Sequence, residues 1–201
     1  MKNGILLCAI ALISSNFNAI ANDAKLSNFI GIGISDKSGS SVALKFIPPE
    51  EDGWSEKNSG LSVTLKNSND SEDNNREIEA YLMRVDAPIS PISGYIETMR
   101  RNILEGVANS KRFKVNALEI TEDSKDARCV RLHLLLEGIE AEQVTKQKRW
   151  NEQYALSCGL LKRKGLGFEL RFYHRYLDSN KDLQFREKAV KIMESVIIQD
   201  D

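Results

Sequence analysis

The chain has two histidines, the side chains best suited to proton transfer near neutral pH. Either His133 or His174 could act as a general base or metal ligand, with a carboxylate such as Glu137 or Asp178 to orient the ring. The sequence has no H-E-x-x-H motif and no G-x-S-x-G nucleophile elbow. We therefore expect both rings to be hydrogen-bonded at the edge of a core. A small periplasmic hydrolase or metal-dependent enzyme using His133 or His174 remains an alternative.

Metal and cofactor motifs are weak throughout the chain. The polar loop 67–75 carries Asp70, Glu72 and Asp73, which supply oxygen atoms of the kind calcium prefers, but it lacks the glycine and the closing glutamate of an EF-hand loop. Segment 31–33 reads Gly-Ile-Gly and lacks the third glycine of a dinucleotide fingerprint. We expect no metal site and no cofactor.

The N-terminal residues 1–21 are typical of a secretory signal peptide. Lys2 precedes a short apolar run, and Ala19 and Ala21 place small side chains before a cleavage site after Ala21. The run is too short to cross a bilayer, and no later segment is long enough to do so. We expect one domain over 22–201, in the periplasm or secreted, with no membrane span.

Two cysteines, Cys129 and Cys158, follow this leader, and an oxidising compartment would permit a bridge between them. Cys158 shares its predicted strand face with Leu156, whereas Cys129 faces away from the apolar side formed by Val130 and Leu132. Neighbouring strands join cysteines only on a common face, unless a bulge shifts the alternation. The pattern favours two separate buried thiols and leaves a disulfide as the alternative.

Charge composition argues against nucleic acid as a partner. The 201 residues hold 28 Lys and Arg against 29 Asp and Glu, a formal net charge of −1. Basic groups at 146–149 and 162–164 lie at opposite ends of one predicted strand, about 30 Å apart. No basic patch forms, so general binding to an anionic polymer is not expected.

Short apolar runs and frequent turn residues predict an α+β domain, a mostly antiparallel β-sheet flanked by helices. The predicted strands are 28–34, 42–47, 61–66, 78–85, 113–121, 128–137, 153–162 and 167–177. A helix with Ser90 as N-cap and Pro91 in its first turn extends to Val107, and a terminal helix runs over 185–197. A three-residue loop at 163–165 would pair Leu160 with Phe168 in the last hairpin.

Two segments carry a resemblance to a known family. Residues 42–54 read VALKFIPPEEDGW, and residues 171–198 form a strand that leads into an amphipathic helix, RFYHRYLDSNKDLQFREKAVKIMESVII. With the helix at 90–107, this order resembles the PsbP-like fold of DcrB-like exported bacterial proteins over residues 40–198. The resemblance implies an α/β/α sandwich and a noncatalytic binding or assembly role, with no common catalytic residues.

The leading hypothesis is a non-enzymatic exported envelope protein that binds another macromolecule. An immunity or inhibitor protein, which the acidic loop at 67–75 would suit, and an envelope assembly or stress factor are both compatible with the sequence. Trp54, Trp150, Tyr173 and Arg175 are the candidate anchors for an unknown protein partner, since aromatic and arginine side chains dominate interface energetics. A carrier of a small apolar ligand is the third alternative, and it requires a closed apolar pocket of about 300 Å³ or more.

Overall fold

A computed structural model describes residues 29–35, 39–85, 90–139 and 147–200. The signal sequence expected at 1–21 and Lys146 of the first basic group lie outside these residues. The elements are β1 (Ile30–Ser35), β2 (Ser41–Phe46), β3 (Trp54–Asn58), β4 (Ser62–Asn67), β5 (Asn74–Arg84), α1 (Ile92–Ser110), β6 (Phe113–Glu122), β7 (Cys129–Gly138), β8 (Arg149–Gly159), β9 (Leu166–Leu177), a 3-10 turn (Asp178–Asn180), α2 (Phe185–Glu194) and β10 (Ile197–Asp200).

The strands form two antiparallel sheets. The large sheet has the order β3-β4-β5-β9-β8-β7-β6, and the small one has the order β1-β2-β10. Every pairing between the named strands is antiparallel. The predicted α+β class, with a mostly antiparallel sheet and flanking helices, is confirmed.

The large sheet buries apolar side chains on both faces, because residues alternate between faces along each strand. We call the face under α2 and the small sheet the inner face. Its core contains Leu65, Ile78, Leu156 and Phe172, together with Phe185 of α2. The other face lies under α1, and we call it the α1 face.

The α1 face is covered much less completely than the inner face. Tyr95 is the one fully buried residue of the 19-residue helix α1, whereas Phe185, Ala189, Ile192 and Met193 are all buried in the ten-residue α2. The apolar side chains of α1 that pack against the sheet are only partly buried: Ile92, Ile96, Met99 and Ile103. The α1 side therefore leaves apolar surface accessible to solvent.

A disulfide joins Cys129 and Cys158, so the prediction of two separate thiols was wrong. The two residues lie directly opposite each other on β7 and β8, with Cα atoms 4.1 Å apart. The face argument failed because it assumed one core. Val130 and Leu132 pack under α1, while Cys129 belongs to the inner face together with Cys158.

The β8–β9 hairpin differs from the predicted register by two residues. Cys158 pairs with Phe168, and Leu160 donates its N–H to the carbonyl of Leu166, so the loop spans five residues, 161–165. Gly165 has φ +81°, as a residue in the left-handed region of this loop. A shift of two preserves the alternation, and the faces of both strands are as predicted.

Three further predictions needed correction. β3 and β10 were missed, since WSEKN is too polar to read as a strand and IIQD continues the apolar pattern of α2. The terminal helix α2 ends at Glu194 and does not reach residue 197. The Ser195 hydroxyl accepts the N–H of Ile47, and the chain then continues as β10, which pairs with β2. Pro91, not Ser90, is the N-cap of α1, because its extended ψ of 145° precedes the first turn.

Candidate functional site

His174 lies on β9 inside the inner core, only 1% exposed. Its Nε2 atom is 2.7 Å from Oδ1 of Asn74, while the buried Nδ1 atom has no hydrogen-bond partner within the described ranges. Its ring packs 5.0 Å from that of Phe185. Burial lowers the pKa of His174 to about 4, so the ring is neutral near pH 7 and inaccessible to a substrate.

His133 belongs to a second polar cluster on the same face, centred on Glu152. Nε2 of His133 lies 3.1 Å from Oε1 of Glu152, and the Glu152 carboxylate also accepts the hydroxyls of Tyr154 and Tyr176 at 3.3 and 3.2 Å. Burial disfavours the Glu152 carboxylate, but the hydrogen bonds from His133 and Tyr176 outweigh it and hold the pKa of Glu152 below its ordinary value. Burial raises the pKa of Tyr154 to about 12.

The carboxylates that the sequence offered to the histidines have other partners. Glu137 forms ion pairs with Lys148 at 2.7 Å and Lys114 at 4.0 Å. Asp178 accepts the indole N–H of Trp150. The carboxylate beside His133 is instead that of Glu152, because β8, which carries Glu152, lies between β7 and β9. The prediction of β8 began at Gln153 and so left Glu152 outside the strand.

The acidic loop at 67–75 is neutralised by arginines. Asp70 accepts the backbone N–H of Arg76 at 2.6 Å and its guanidinium at 3.0 Å, and Asp73 pairs with Arg149 at 2.6 Å. Over the part of the chain that the structure describes, no group of three His, Cys, Asp or Glu side chains is arranged to hold a metal ion. No helix there is long and apolar enough to cross a membrane.

The two tryptophans lie on the inner side. Trp54 packs edge-on against Phe172 with ring centroids 6.0 Å apart, and the guanidinium of Arg76 sits 5.7 Å from its ring. Trp150, at the start of β8, is half-buried between the Asp178 carboxylate and the Lys148 ammonium, which is 5.8 Å from the indole centroid. Each indole is thus engaged within the fold.

Tyr173 and Arg175 lie on the opposite side, on the stretch of the α1 face that α1 does not cover. The helix packs over β6, β7 and β8, and the side chains of β4, β5 and β9 beyond it face outward. We call this stretch the open face. Its members are Lys66, Glu77, Glu79, Tyr81, Arg171, Tyr173 and Arg175.

Arg171 organises the open face. It forms an ion pair through Nε with Glu169, donates from Nη1 to the Tyr173 hydroxyl at 2.9 Å, and stacks 4.7 Å from the centroid of Tyr81. Burial would lower the pKa of Arg171, but Glu169 outweighs it and the guanidinium stays charged. Burial also raises the pKa of Tyr81 and of Tyr173, so both phenols keep their protons.

A groove of about 360 Å³ separates α1 from this network. Met99 and Ile103 line it from the helix, and Leu132 and Leu134 line it from β7. Glu169 and Arg171 form its wall on the open-face side. It has the volume expected of a ligand carrier, but it is open to solvent and partly polar where a carrier was expected to have a closed apolar pocket.

Comparisons with known proteins place the chain by its fold. A scan against protein-family models finds no match, and neither does a search of curated proteins. Among solved structures, LpqN, described as involved in cell envelope biogenesis of Mycobacterium tuberculosis, matches with a TM-score of 0.50 and 13% identity over 86% of this chain and 92% of that one.

Two further structures have lower scores. Cyanobacterial PsbP from Synechocystis matches with a TM-score of 0.47 and 12% identity, over 90% of this chain and 99% of that one. A point mutant of the protein Mog1 matches with a TM-score of 0.42 and 14% identity, over 84% and 95%. At these identities the likeness concerns the fold alone. The chain has the mostly antiparallel α+β fold that the sequence predicted, and a PsbP structure is among its structural neighbours.

Proposed function

We propose that this chain is a non-enzymatic exported protein of the cell envelope that binds a protein partner through the open face. The observation that carries the proposal is the incomplete cover of the α1 face. In the described part of the chain no helix packs over β4, β5 and β9 on this face, and these strands present Tyr81, Arg171 and Tyr173, with Arg171 in contact with both tyrosines.

Tyr173 and Arg175 are the proposed anchors. The Tyr173 hydroxyl accepts from Arg171, and its own O–H has no acceptor in the described part of the chain. Arg175 is exposed, with one long contact of 3.5 Å to the carbonyl of Glu72. The bond from Arg171 holds Tyr173 in place, so its side chain loses little conformational entropy on binding, and tyrosine and arginine are enriched among residues that dominate interface energies. In this proposal Trp54 and Trp150 stabilise the fold and do not contact the partner.

Export and an envelope setting rest on two supports. The first is the signal-like sequence at 1–21. The second is the disulfide between Cys129 and Cys158, a bond that persists in oxidising compartments. The fold similarity to LpqN, itself described as an envelope biogenesis protein, is consistent with this setting. An assembly or stress factor is favoured over an immunity protein, because arginines neutralise Asp70 and Asp73 of the acidic loop.

The test is capture of partners by the tagged mature chain, residues 22–201, from the native envelope fraction, read by mass spectrometry. We expect a stoichiometric protein that the Tyr173→Ala/Arg175→Ala double variant fails to capture. Trp150→Ala is the matched control and should capture it normally. Capture that is equal for all three chains, or no partner at moderate salt, would contradict the proposal.

One observation favours an enzyme as the second candidate, namely the pairing of His133 with Glu152 at 3.1 Å. Such a pair can orient a general base, although both cysteines near this face are bridged and offer no thiol nucleophile. The distinguishing variant is His133→Gln. An enzyme that uses this base would lose its activity on a panel of ester and peptide substrates, whereas partner capture through the open face would persist.

A further inference from the structure

The groove beside α1 carries unpaired polar side chains next to its apolar floor. Thr98 and Asn102 line it from the helix and Gln153 lines it from β8. In the described part of the chain, none of these three side chains forms a hydrogen bond, and Gln153 is half-buried. Arg171 adds an Nη2 group that is not used in its bonds to Glu169 and Tyr173.

These groups match the chemistry of a peptide backbone. A carboxamide offers one acceptor and two donors, so Asn102 and Gln153 can each pair with the C=O and N–H of an extended chain. The free N–H groups of Arg171 can donate to a carbonyl. Main-chain hydrogen bonds beside pockets for alternate side chains are a recurring mode of peptide recognition.

The charge of the groove selects against basic ligands. Glu169 and Arg171 neutralise each other. Arg84, exposed at the end of β5, adds one positive charge to the lining. The remaining lining is aliphatic or uncharged, so an aliphatic ligand without a positive charge is complementary to it.

The geometry points to a subsite for a short, extended peptide segment of the partner that carries two aliphatic side chains and no basic one. The aliphatic side chains pack on Met99, Ile103, Leu132 and Leu134, and the backbone pairs with Asn102, Gln153 and Arg171. A volume near 360 Å³, at the lower end for ligand sites, suits a few residues. This inference rests on the proposed function, since it names what part of a protein partner enters the groove beside the open face.

The probe is a library of random heptapeptides displayed for selection on the oxidised mature chain, with binding of the enriched peptides measured by fluorescence anisotropy. We expect peptides with two aliphatic residues and no basic one. Their Kd should change less than about fivefold between roughly 50 and 500 mM salt, because Arg84 offers the groove's one charge outside the Glu169–Arg171 pair.

Two substitutions on α1 provide the matched pair. Met99→Lys places a charge in the groove and should weaken peptide binding about tenfold or more, while Leu104→Lys, at a residue 44% exposed and outside the groove, should leave it unchanged. Gln153→Ala should weaken it about three- to tenfold, from one lost backbone pairing. Both Lys variants are checked for an unchanged Tm.

Several results would overturn the inference. These are enrichment of basic peptides, binding that Met99→Lys leaves intact, no enrichment, or displacement of the peptides by the fatty acid laurate at low concentration, which would indicate a site for an apolar ligand. The proposed function is judged separately, by the Tyr173 and Arg175 variants in partner capture. If the Met99→Lys chain still captures the partner at wild-type level, the peptide subsite is wrong while the open face stands.

Discussion

The hydroxyl of Tyr95 lies 2.8 Å from that of Ser157, and this buried hydrogen bond joins α1 to β8. Tyr95 is the one residue of α1 that is buried, so this contact helps to fix the helix, and with it the wall of the groove, together with the partly buried Ile92, Ile96, Met99 and Ile103. Burial raises the pKa of the Tyr95 phenol, which keeps its proton at neutral pH.

The Tyr95→Phe variant should therefore lower the free energy of unfolding by about 1 kcal/mol, since it leaves the Ser157 hydroxyl without its tyrosine partner. Urea unfolding followed by circular dichroism measures the difference. The double variant Tyr95→Phe/Ser157→Ala should recover part of the loss, because both polar partners are then absent. An unchanged urea midpoint for Tyr95→Phe would show that the Tyr95–Ser157 hydrogen bond does not stabilise the packing of α1 on the sheet.

Phe185 should be a major contributor to the stability of the inner core. Its ring lies 4.7 Å from Phe172, 5.7 Å from Tyr154 and 5.0 Å from His174, and it is 1% exposed. Phe185→Ala should cost about 3–5 kcal/mol in unfolding free energy, from lost burial and the cavity left behind. Leu183, 87% exposed and two residues earlier, is the control, and Leu183→Ala should be close to neutral. Similar losses for the two variants would be inconsistent with this core.

Stability should fall in mild acid because of His174. Its folded pKa of about 4 lies below the ordinary value of 6.5, so the unfolded chain binds more protons between these values. The contribution is fully present above pH 6.5 and is lost as the pH falls toward 4. Between pH 7 and 5 we expect a loss of about 2 kcal/mol from this residue.

The His174→Gln variant separates this effect from those of the carboxylates. Glutamine can keep a hydrogen bond to Asn74 but does not titrate, so the loss between about pH 7 and 5 should nearly vanish. The lowered pKa values of Glu51, Glu152 and Asp182 act at lower pH, below the ordinary carboxyl range. A variant with the same pH dependence as the wild type would refute the assignment to His174.

The disulfide should stabilise the oxidised chain. Cys129 and Cys158 are 29 residues apart, and closing a loop of that length corresponds to about 3–4 kcal/mol in the chain-entropy description. Reduction of the wild type should lower the urea midpoint accordingly, and the Cys129→Ala/Cys158→Ala variant should be insensitive to reductant. Equal midpoints for oxidised and reduced wild type would contradict the bridge.

Most of the fold could be predicted from the alternation of apolar and polar residues within each strand. The pairing of strands that are distant in sequence could not be predicted from it. Leu156 and Cys158 were assigned correctly to a common face, because a register error of two residues leaves alternation unchanged. The disulfide was missed because β7 buries Val130 on one face and Cys129 on the other, and a single-core assumption cannot accommodate that.

The candidate site residues, too, could be predicted from local alternation only in part. Trp150, Glu152, Tyr154 and Leu156 alternate along β8, and extending the strand back to Arg149 would have revealed Glu152 as inward-facing. Its contact with His133 needs the strand order, which no local pattern contains. Tyr173 and Arg175 were chosen by residue type, and alternation along β9 places both on the face opposite Phe172. The groove was not foreseen, because it arises from how little of the sheet α1 covers.

The measurement that bears most directly on the open face is site-specific photocrosslinking in the native envelope. A photoreactive phenylalanine analogue is placed at Tyr173 in one chain and at the exposed Leu183, on the inner side, in another. We predict one discrete protein adduct from position 173, reduced by Arg175→Ala, and none from position 183. An adduct from position 183 alone, or none from either, would contradict a protein partner on the open face.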